Sequence, residues 1–332
     1  MKKLILLTLL LLPLLIFSQA QFGSDIDGEA ASDKLGYSVS IDSDGSHVAI
    51  GAIGNDGNGS DSGHVRVYEY SSGSWTQVGS DIDGEAASDK SGYSVSIDSD
   101  GSHVAIGAPF NDGNGTSSGH VRIYSWDGSA WAQVGNDIDG EAASDWNGYS
   151  VSMDSDGSHV AMGAYYNDGS YSNAGHVRIY SWDGSAWSKV GDDIDGEASD
   201  DYSGISVSID SDGSHVAIGA NRNDGTASSA GHVRIYSWDG SAWSKVGDDI
   251  DGEAASDYSG YSVSIDSDGS HVAIGAYGND GNGSNSGHVR IYSWDGSAWA
   301  QVGNDIDGEA ANDQSGYSVS IDSDGSHVAI GA

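Results

Sequence analysis

Closely spaced carboxylates are the residues of this sequence best placed to do chemistry. Residues 81–89 read Asp-Ile-Asp-Gly-Glu-Ala-Ala-Ser-Asp, which puts four carboxylates within nine residues, and the phrase recurs with small changes along the chain. Hard cations such as calcium prefer several carboxylate and carbonyl oxygens in a glycine-containing loop. The phrase therefore predicts calcium ligands, although its spacing is not that of an EF-hand and a solvated acidic loop is the alternative. The predicted ligands in the second and third copies are Asp81, Asp83, Glu85, Asp89, Asp137, Asp139, Glu141 and Asp145.

A second group of candidate residues lies in a loop whose sequence varies between copies. Aromatic residues stand there beside Asn-Asp-Gly, so rings could stack on sugars while polar groups bond hydroxyls. Exposed loops on a rigid scaffold are common binding sites. We therefore predict ligand-binding loops, with drift in an exposed turn as the alternative. The predicted residues are Phe110, Asn111, Asp112, Tyr165, Tyr166, Asn221, Arg222 and Tyr277.

The histidines do not predict catalysis. All 11 fall at two recurring positions, such as His103 and His120, each at the start of a predicted strand. An active site needs unlike groups converging on one point, whereas these residues repeat along the chain. The sequence also lacks cysteine, which excludes a cysteine nucleophile and a thiolate metal site. We therefore predict structural histidines and no enzymatic activity.

These residues are carried by an internal repeat. The phrase Gly-Tyr-Ser-Val-Ser begins at six positions that are 56 residues apart, with Ile205 replacing Tyr once. Such a period indicates one supersecondary unit that is stabilised by stacking on its neighbours. The six starts are Gly36, Gly92, Gly148, Gly204, Gly260 and Gly316.

Four short alternating runs within each unit predict β-strands. In the second unit they are residues 93–97, 103–107, 120–126 and 130–134, and Asp-Gly between the first two predicts a hairpin. Four antiparallel strands per unit predict an all-β fold, a β-propeller of four-stranded blades. A right-handed β-solenoid is the alternative, but it needs a shorter sub-period.

The number of units predicts an incomplete ring. Five complete four-strand sets and a two-strand remnant are present, or about five and a half blades. The N-terminal segment is expected to supply a strand to the last blade, and a further strand would still be missing. We therefore expect residues 21–332 to be a propeller that is truncated at its C-terminal end, from a natural ring of six or seven blades.

The units resemble FG-GAP repeats, the blade type of the integrin alpha-chain head and of many secreted bacterial proteins. The resemblance rests on Gly92-Tyr93-Ser94-Val95 and on Gly107-Ala108-Pro109, although Phe never precedes the first glycine and only one unit keeps the proline. It implies a propeller that acts in adhesion or recognition. It also implies calcium at the hairpin acids Asp98 and Asp100, although the downstream acid of the longer family loop is absent.

The net charge and the N-terminal 20 residues predict where the protein is located and which partners it avoids. Residues 1–20 combine Lys2 and Lys3, an apolar stretch and a small-x-small end, which predicts a signal peptide. The net charge is −38, and it becomes −40 without those two lysines. A surface this acidic repels nucleic acid and anionic lipid, so neither is expected as a partner. No later segment is apolar enough to insert into a membrane.

Together these features predict a secreted or cell-surface protein, of bacterial type, that is not an enzyme. We expect it to act in adhesion or in recognition of a glycan or an extracellular protein, and calcium is the predicted stabilising ion. The alternative is the propeller module of a secreted polysaccharide-degrading or phosphodiesterase-type enzyme whose catalytic part lies outside this sequence. A fold analogy supports a fold better than it supports a function.

Overall fold

The computed structural model describes residues 21–332, and the predicted signal peptide at residues 1–20 lies outside the described residues. Every regular element of residues 21–332 is a β-strand. The strands recur with the 56-residue period of the sequence, and the strand pattern of the second unit follows the four predicted runs closely. The all-β prediction is confirmed.

The strands follow one another in the same order in every unit. The first unit contains β1 (Leu35–Ile41), β2 (His47–Ala52), β3 (His64–Ser71), β4 (Ser74–Gln77) and β5 (Ile82–Asp83). The second contains β6 (Ser94–Ile97), β7 (His103–Ala108), β8 (His120–Trp126), β9 (Trp131–Gln133) and β10 (Ile138–Asp139). The third contains β11 (Ser150–Met153), β12 (His159–Ala164), β13 (His176–Trp182), β14 (Trp187–Lys189) and β15 (Ile194–Asp195). The fourth contains β16 (Ser203–Ile209), β17 (His215–Ala220), β18 (His232–Trp238), β19 (Trp243–Lys245) and β20 (Ile250–Asp251). The fifth contains β21 (Ser262–Ile265), β22 (His271–Ala276), β23 (His288–Trp294), β24 (Trp299–Gln301) and β25 (Ile306–Asp307), and the sixth contains β26 (Ser318–Ile321) and β27 (Val328–Gly331).

Each of the first five units is one antiparallel sheet. In the first unit the strand order is β1-β2-β3-β4, and β5 also pairs with β3. In the second unit Ile97 pairs with Val104 on the two sides of the predicted Asp-Gly hairpin. The sixth unit is a two-stranded sheet. The count of five complete blades and a remnant therefore follows the prediction.

The outermost strand differs from the single fourth strand that the sequence predicted. In the second unit it is divided into β9 and β10, which pair in succession with β8. Gly135 lies between the two pieces and has a φ of 75°, so the chain turns out of the sheet there. A Cβ atom on Gly135 would lie 2.7 Å from Cζ3 of Trp182 and 2.9 Å from Cδ1 of Trp187. The break therefore makes room for a tryptophan pair of the next blade.

The six innermost strands surround one axis. Contacts join β1 to β6, β6 to β11, β11 to β16, β16 to β21 and β21 to β26. Residues of all six units line both mouths of a channel along this axis. Sheets that stack face to face around an axis form a β-propeller, so the propeller prediction is confirmed and the solenoid alternative is wrong.

Facing sheets bury apolar side chains between them. Between the first two units, Val65 and Val67 of β3 pack against Val104 and Ile106 of β7, and each is at most 1% exposed. The same arrangement recurs at the next three interfaces. Burying a valine or isoleucine fully contributes about 1.5–3 kcal/mol. The apolar core of this fold therefore lies between blades.

Two glycines let adjacent blades approach at the backbone. Gly107 on β7 packs against the carbonyl oxygen of Gly148 in the next unit, and a Cβ atom would not fit there. The hydroxyl of Ser94 donates to the same carbonyl at 2.8 Å. Gly148 has a φ of 80°, which favours glycine. These are the two glycines of the repeat motif, so their recurrence has a steric cause.

The interface between the sixth unit and the first is open. Val39 and Ile41 on β1 are 64% and 58% exposed. Their equivalents in the second unit, Val95 and Ile97, are 9% and 7% exposed because the preceding blade covers them. The first blade therefore presents part of its apolar face to solvent.

The N-terminal segment packs on the first blade and does not form the strand expected for the last one. Trp75 Nε1 donates a hydrogen bond to the carbonyl of Phe22 at 2.9 Å. In the second unit the equivalent Trp131 donates to the carbonyl of Val78 at 2.8 Å. The segment thus takes the place that the linker of a preceding blade has elsewhere. That expectation about the last blade is wrong for the described residues.

We expect the Ile97→Ala variant to lose about 2–5 kcal/mol of unfolding free energy, because it leaves a cavity between two blades. Ile41→Ala is the matched control, since it changes the same repeat position where the side chain is 58% exposed. Its loss should be below about 1 kcal/mol. Urea unfolding followed by tryptophan fluorescence measures both, and equal losses would contradict the interblade core.

Gly135→Ala should cost more than about 2 kcal/mol, because it combines a left-handed backbone with a clash against two tryptophans. Gly128→Ala separates the two effects: Gly128 has a φ of 93° but no neighbouring atom within 4 Å of an added Cβ. We expect it to cost only about 1 kcal/mol. Thermal melting compares the variants, and a similar shift in both would show that the tryptophan contact is unimportant.

Candidate functional site

The four carboxylates of each linker phrase do not surround one point among the described residues. In the third copy, Asp145 is 3% exposed and accepts hydrogen bonds from Ala142 N at 3.0 Å and Asn167 Nδ2 at 2.9 Å. Asp137 instead accepts a bond from Gln133 Nε2 at 2.6 Å. Asp89 holds its own loop in the same way as Asp145. The last acid of each phrase therefore stabilises the linker loop through hydrogen bonds.

The remaining acids of the phrase point elsewhere. Asp81 lies 3.6 Å from His64, and the backbone carbonyl of Asp83 accepts a bond from Arg122 at 2.8 Å. Glu85 reaches Arg122 and His120, both in the second unit, at 3.6 and 3.8 Å. Asp139 and Glu141 repeat these roles toward Arg178 in the third unit. The phrase thus distributes its acids over two blades.

The hairpin acids implied by the family resemblance are engaged by the turn itself. Asp98 is 2% exposed and accepts bonds from His103 N at 3.0 Å, His103 Nδ1 at 2.7 Å and Ser102 Oγ at 3.0 Å. Asp100 accepts a bond from Ser102 N at 3.0 Å. Both oxygens of Asp98 are occupied, so this hairpin does not present a calcium cage.

Aromatic side chains of the predicted loops meet at one end of the channel. Phe110 contacts Trp146 with ring centroids 4.7 Å apart, and Trp146 contacts Tyr166 at the same distance. Tyr165 packs on Tyr149 at 4.4 Å. The channel mouth is a cavity of about 510 Å³ lined by five tyrosines and Ile205. We call the whole surface the aromatic face; it comprises Tyr37, Tyr93, Phe110, Trp146, Tyr149, Tyr165, Tyr166 and Tyr202, together with Tyr258, Tyr261, Tyr277 and Tyr317.

Some residues predicted for ligand binding serve the loop instead. Asn111 is 6% exposed, its Nδ2 donates to Asp89 at 2.9 Å, and its Oδ1 accepts from Gly113 N at 2.8 Å. Asp112 accepts a bond from Ser117 N at 2.7 Å and closes the same loop. Asn221 is 5% exposed. The aromatic and basic members of the predicted set are the ones that reach the aromatic face.

One position of the aromatic face has an unusual backbone. Trp146, Tyr202 and Tyr258 have φ values of 58°, 61° and 56°, in the left-handed region that bulky residues seldom adopt. The equivalent Lys34, Lys90 and Gln314 have the same conformation, so the scaffold imposes it whatever the side chain is. This position was not among the predicted site residues. Its variability in an otherwise uniform repeat was the signal that could have identified it.

The basic residues that lie outside the third strands and outside the linker ion pairs are on the aromatic face. Residues 21–332 contain ten Lys and Arg, of which five arginines lie in the third strands and two lysines pair with linker acids. The other three are Lys34, Lys90 and Arg222. Lys90 lies 4.8 Å from the centre of the Phe110 ring, and Arg222 lies 4.6 Å from that of Tyr202. Lys90 and Arg222 therefore place positive charge on the aromatic face.

The opposite mouth of the channel is symmetric. A serine of each of the first five units there donates to the carbonyl of the equivalent serine in the next, as Ser99 does to Ser155 at 2.6 Å. This mouth encloses about 220 Å³ and repeats Ile-Asp-Ser, with one methionine in place of isoleucine. The two ends of the channel therefore differ, and only the aromatic face carries unlike groups from different units.

The arrangement defines a class of protein: a β-propeller with a uniform scaffold and one variable face. The FG-GAP repeat family matches residues 24–68, 80–124 and 250–292, and the intervening units repeat the same sequence. The chain is an FG-GAP repeat protein. Such repeats are typical of extracellular proteins.

Solved structures share the fold. One is a candidate 6-phosphogluconolactonase from Bacteroides uniformis, with a TM-score of 0.59, 10% identity, and 89% of this chain and 77% of that chain covered. Another is the hydrazine synthase of Kuenenia stuttgartiensis, with a TM-score of 0.55, 13% identity, and 88% and 82% covered. Such low identities show the fold alone. No curated protein matches the sequence.

A search of residues 21–332 for a helix of the length and apolarity needed to cross a membrane finds none.

The Asp98–His103 pair predicts a pH-dependent contribution to stability. The hydrogen bond that His103 makes with Asp98 raises the pKa of His103 above its ordinary value of 6.5. Burial would raise the pKa of Asp98, but hydrogen bonds from His103 and Ser102 outweigh it, so the pKa of Asp98 lies below its ordinary value of 3.8. The contribution of this ion pair to stability is therefore complete between pH 3.8 and pH 6.5, the ordinary pKa values of the two groups. It is lost as pH rises through the raised histidine pKa, or falls through the lowered aspartate pKa.

We expect Asp98→Ala to lower stability by about 1–3 kcal/mol near pH 5, and by less near pH 8. Thermal melts of the variant and the unmodified protein at the two pH values measure the difference. Asp100→Ala is the control, because it removes an acid of the same turn without removing the partner of His103. A loss from Asp98→Ala that is the same at both pH values would refute the ionic role.

Proposed function

We propose that this protein is an extracellular recognition propeller that binds a glycan on the aromatic face, without catalysing a reaction. The observation that carries the proposal is the place where the repeat varies. The units are nearly identical along their strands, but they differ at the left-handed position and in the loop after the second strand. Those positions meet on one face and supply its basic residues and the aromatic residues that differ between units, such as Phe110, Trp146 and Tyr166.

The chemistry of the aromatic face suits a carbohydrate. Phe110, Trp146 and Tyr166 are half-buried, so each ring is held by packing while part of it stays open to solvent. Rings held in this way stack on the apolar faces of sugars at little entropic cost. Burial raises the pKa of Tyr93 and of Tyr165, so their hydroxyls stay protonated and can donate hydrogen bonds. Arg222 adds a charged donor at the edge of the cluster.

The proposal of a non-enzymatic role rests on the symmetry of the other polar groups. The histidines and buried acids recur in successive units with nearly the same partners. Catalysis needs an arrangement that is special to one place. A propeller module of a polysaccharide-degrading enzyme remains compatible with the same face, since such a module would also hold sugar. Calcium stabilisation remains a prediction, and the geometry of the hairpin does not favour it.

Affinity electrophoresis through gels containing neutral or acidic soluble polysaccharides tests the proposal. We expect residues 21–332 to be retarded by at least one polysaccharide. Trp146→Ala and Tyr166→Ala should each weaken binding about 10-fold or more, because a lost stacking contact of this size is worth on the order of 1.4 kcal/mol.

Ile41→Ala is the matched control, since Ile41 is an exposed apolar residue at the opposite mouth of the channel. It should be retarded as strongly as the unmodified protein. Equal weakening by all three variants would mean that the binding site is not the aromatic face. Absence of retardation by every polysaccharide would reject the glycan as ligand.

A further inference from the structure

A cluster of three metal-ligating side chains recurs at each blade. In the second unit Glu85, His120 and Asp137 each place one ligand atom within 4.8 Å of the other two. Glu85 comes from the linker before the blade, His120 begins its third strand, and Asp137 lies between β9 and β10, the two pieces of its outermost strand. The equivalent clusters are Glu29–His64–Asp81, Glu141–His176–Asp193, Glu197–His232–Asp249 and Glu253–His288–Asp305.

In two of the clusters the histidine Nδ1 is buried without a hydrogen-bond partner. The side chain of His120 is 1% exposed, and its Nδ1 has no partner in the protein. This atom lies 3.8 Å from Glu85 Oε2 and 3.9 Å from Asp137 Oδ2, too far for hydrogen bonds. His64 Nδ1 is likewise buried and unpartnered, 3.6 Å from Asp81. A buried polar atom that points at two carboxylates without bonding either costs free energy unless a ligand satisfies it.

The aspartate of each cluster is oriented by a residue four positions before it. Gln133 Nε2 donates to Asp137 Oδ1 at 2.6 Å, which turns Oδ2 toward His120. Partners of this kind fix the geometry of metal ligands in proteins. Three clusters have glutamine at this position and two have lysine. The glutamines are Gln77, Gln133 and Gln301, and the lysines are Lys189 and Lys245.

We propose that these five clusters are binding sites for a borderline divalent transition metal such as Zn²⁺, which would tie the linker before each blade to the third strand and the divided outermost strand of that blade. Zinc binds imidazole and carboxylate at about 2.0–2.2 Å, and three protein ligands with one open position is a common arrangement. Contracting the cluster requires a movement of about 1 Å by side chains such as Glu85, which is 44% exposed and free to adjust.

The electrostatics of the site accommodate a cation. Burial lowers the pKa of His120 to about 4, so the imidazole is neutral, as a metal ligand must be. Burial also raises the pKa of Glu85; Arg122 lowers it, and the nearby carboxylates of Asp137 and Asp139 raise it further. Calcium is a poorer fit, because it prefers six or more oxygen ligands.

Arg122 lies beside the cluster but leaves one side of it free. Its Nη1 approaches Glu85 Oε1 at 3.6 Å, while Oε2 of the same carboxylate faces His120. Its Nη2 donates to the carbonyl of Asp83 at 2.8 Å, and the guanidinium carbon lies 5.6 Å from the Tyr124 ring centre. The arginine is therefore held in place, and it neutralises only part of the acidic charge.

Calorimetric titration of chelator-treated residues 21–332 with ZnCl₂ at neutral pH tests the proposal. We expect three tighter sites, where glutamine orients the aspartate, and two weaker sites, where a lysine ammonium pairs with the aspartate at 2.6 Å. The double variant Lys189→Gln with Lys245→Gln should convert the weaker pair, raising its affinity about 10-fold. The same titration with CaCl₂ should show no such division.

Single variants connect the binding to named residues. His120→Gln should remove one tight site and leave the others unchanged. His103→Gln is the control, because His103 is a hairpin histidine outside the clusters. If His120→Gln fails to fold, Glu85→Gln at a half-exposed position is expected to give the same loss of one site.

Three results would overturn the proposal. The first is no saturable zinc binding, and the second is the same stoichiometry and affinity for zinc and calcium, which would indicate binding to surface acids. The third is a zinc stoichiometry that neither His120→Gln nor Glu85→Gln lowers. None of them bears on glycan binding, which is measured with polysaccharides and with the Trp146 and Tyr166 variants.

Discussion

The whole architecture depends on how closely one blade approaches the next. A glycine of the second strand lies against a glycine carbonyl of the following unit, and a serine hydroxyl bonds that carbonyl from the side. This contact sets the spacing at which valines and isoleucines of both sheets exclude water. Because a single small sheet cannot bury its own faces, the distance between sheets determines whether each unit is stable at all. The backbone contact and the apolar core are thus two parts of one constraint.

Local patterns were sufficient to predict the parts of the fold that depend on local chemistry. Alternating runs and the Asp-Gly turn predicted the strands of the second unit, and the repeat predicted the propeller. The divided outer strand was not predictable, because its cause lies in Trp182 and Trp187 of another blade. The packing of the N-terminal segment against Trp75 also depends on a contact between units. Contacts that span a repeat leave no local signal in either partner.

The site residues also divide into those that the local sequence predicted and those that depend on contacts between segments. The linker acids form a dense run in the sequence, yet in space Glu85 and Asp137 meet around a histidine from a third segment. His120 was interpreted as structural because it repeats, and repetition indeed argues against catalysis; it does not argue against five equivalent ligand sites. Phe110 and Tyr166 were predicted from their loops, whereas Trp146 and Tyr149 were missed because they precede a different strand.

The left-handed position on the aromatic face has a consequence for how such a surface can change. The backbone there adopts one conformation with lysine, tryptophan, tyrosine or glutamine, so a new side chain does not alter the path of the chain. Mutation at this position therefore changes what the surface offers without changing the architecture that presents it. Duplication of whole units followed by divergence at one such place can generate new specificities stepwise. The side chains that form the surface can therefore be exchanged one at a time while the scaffold that presents them stays the same.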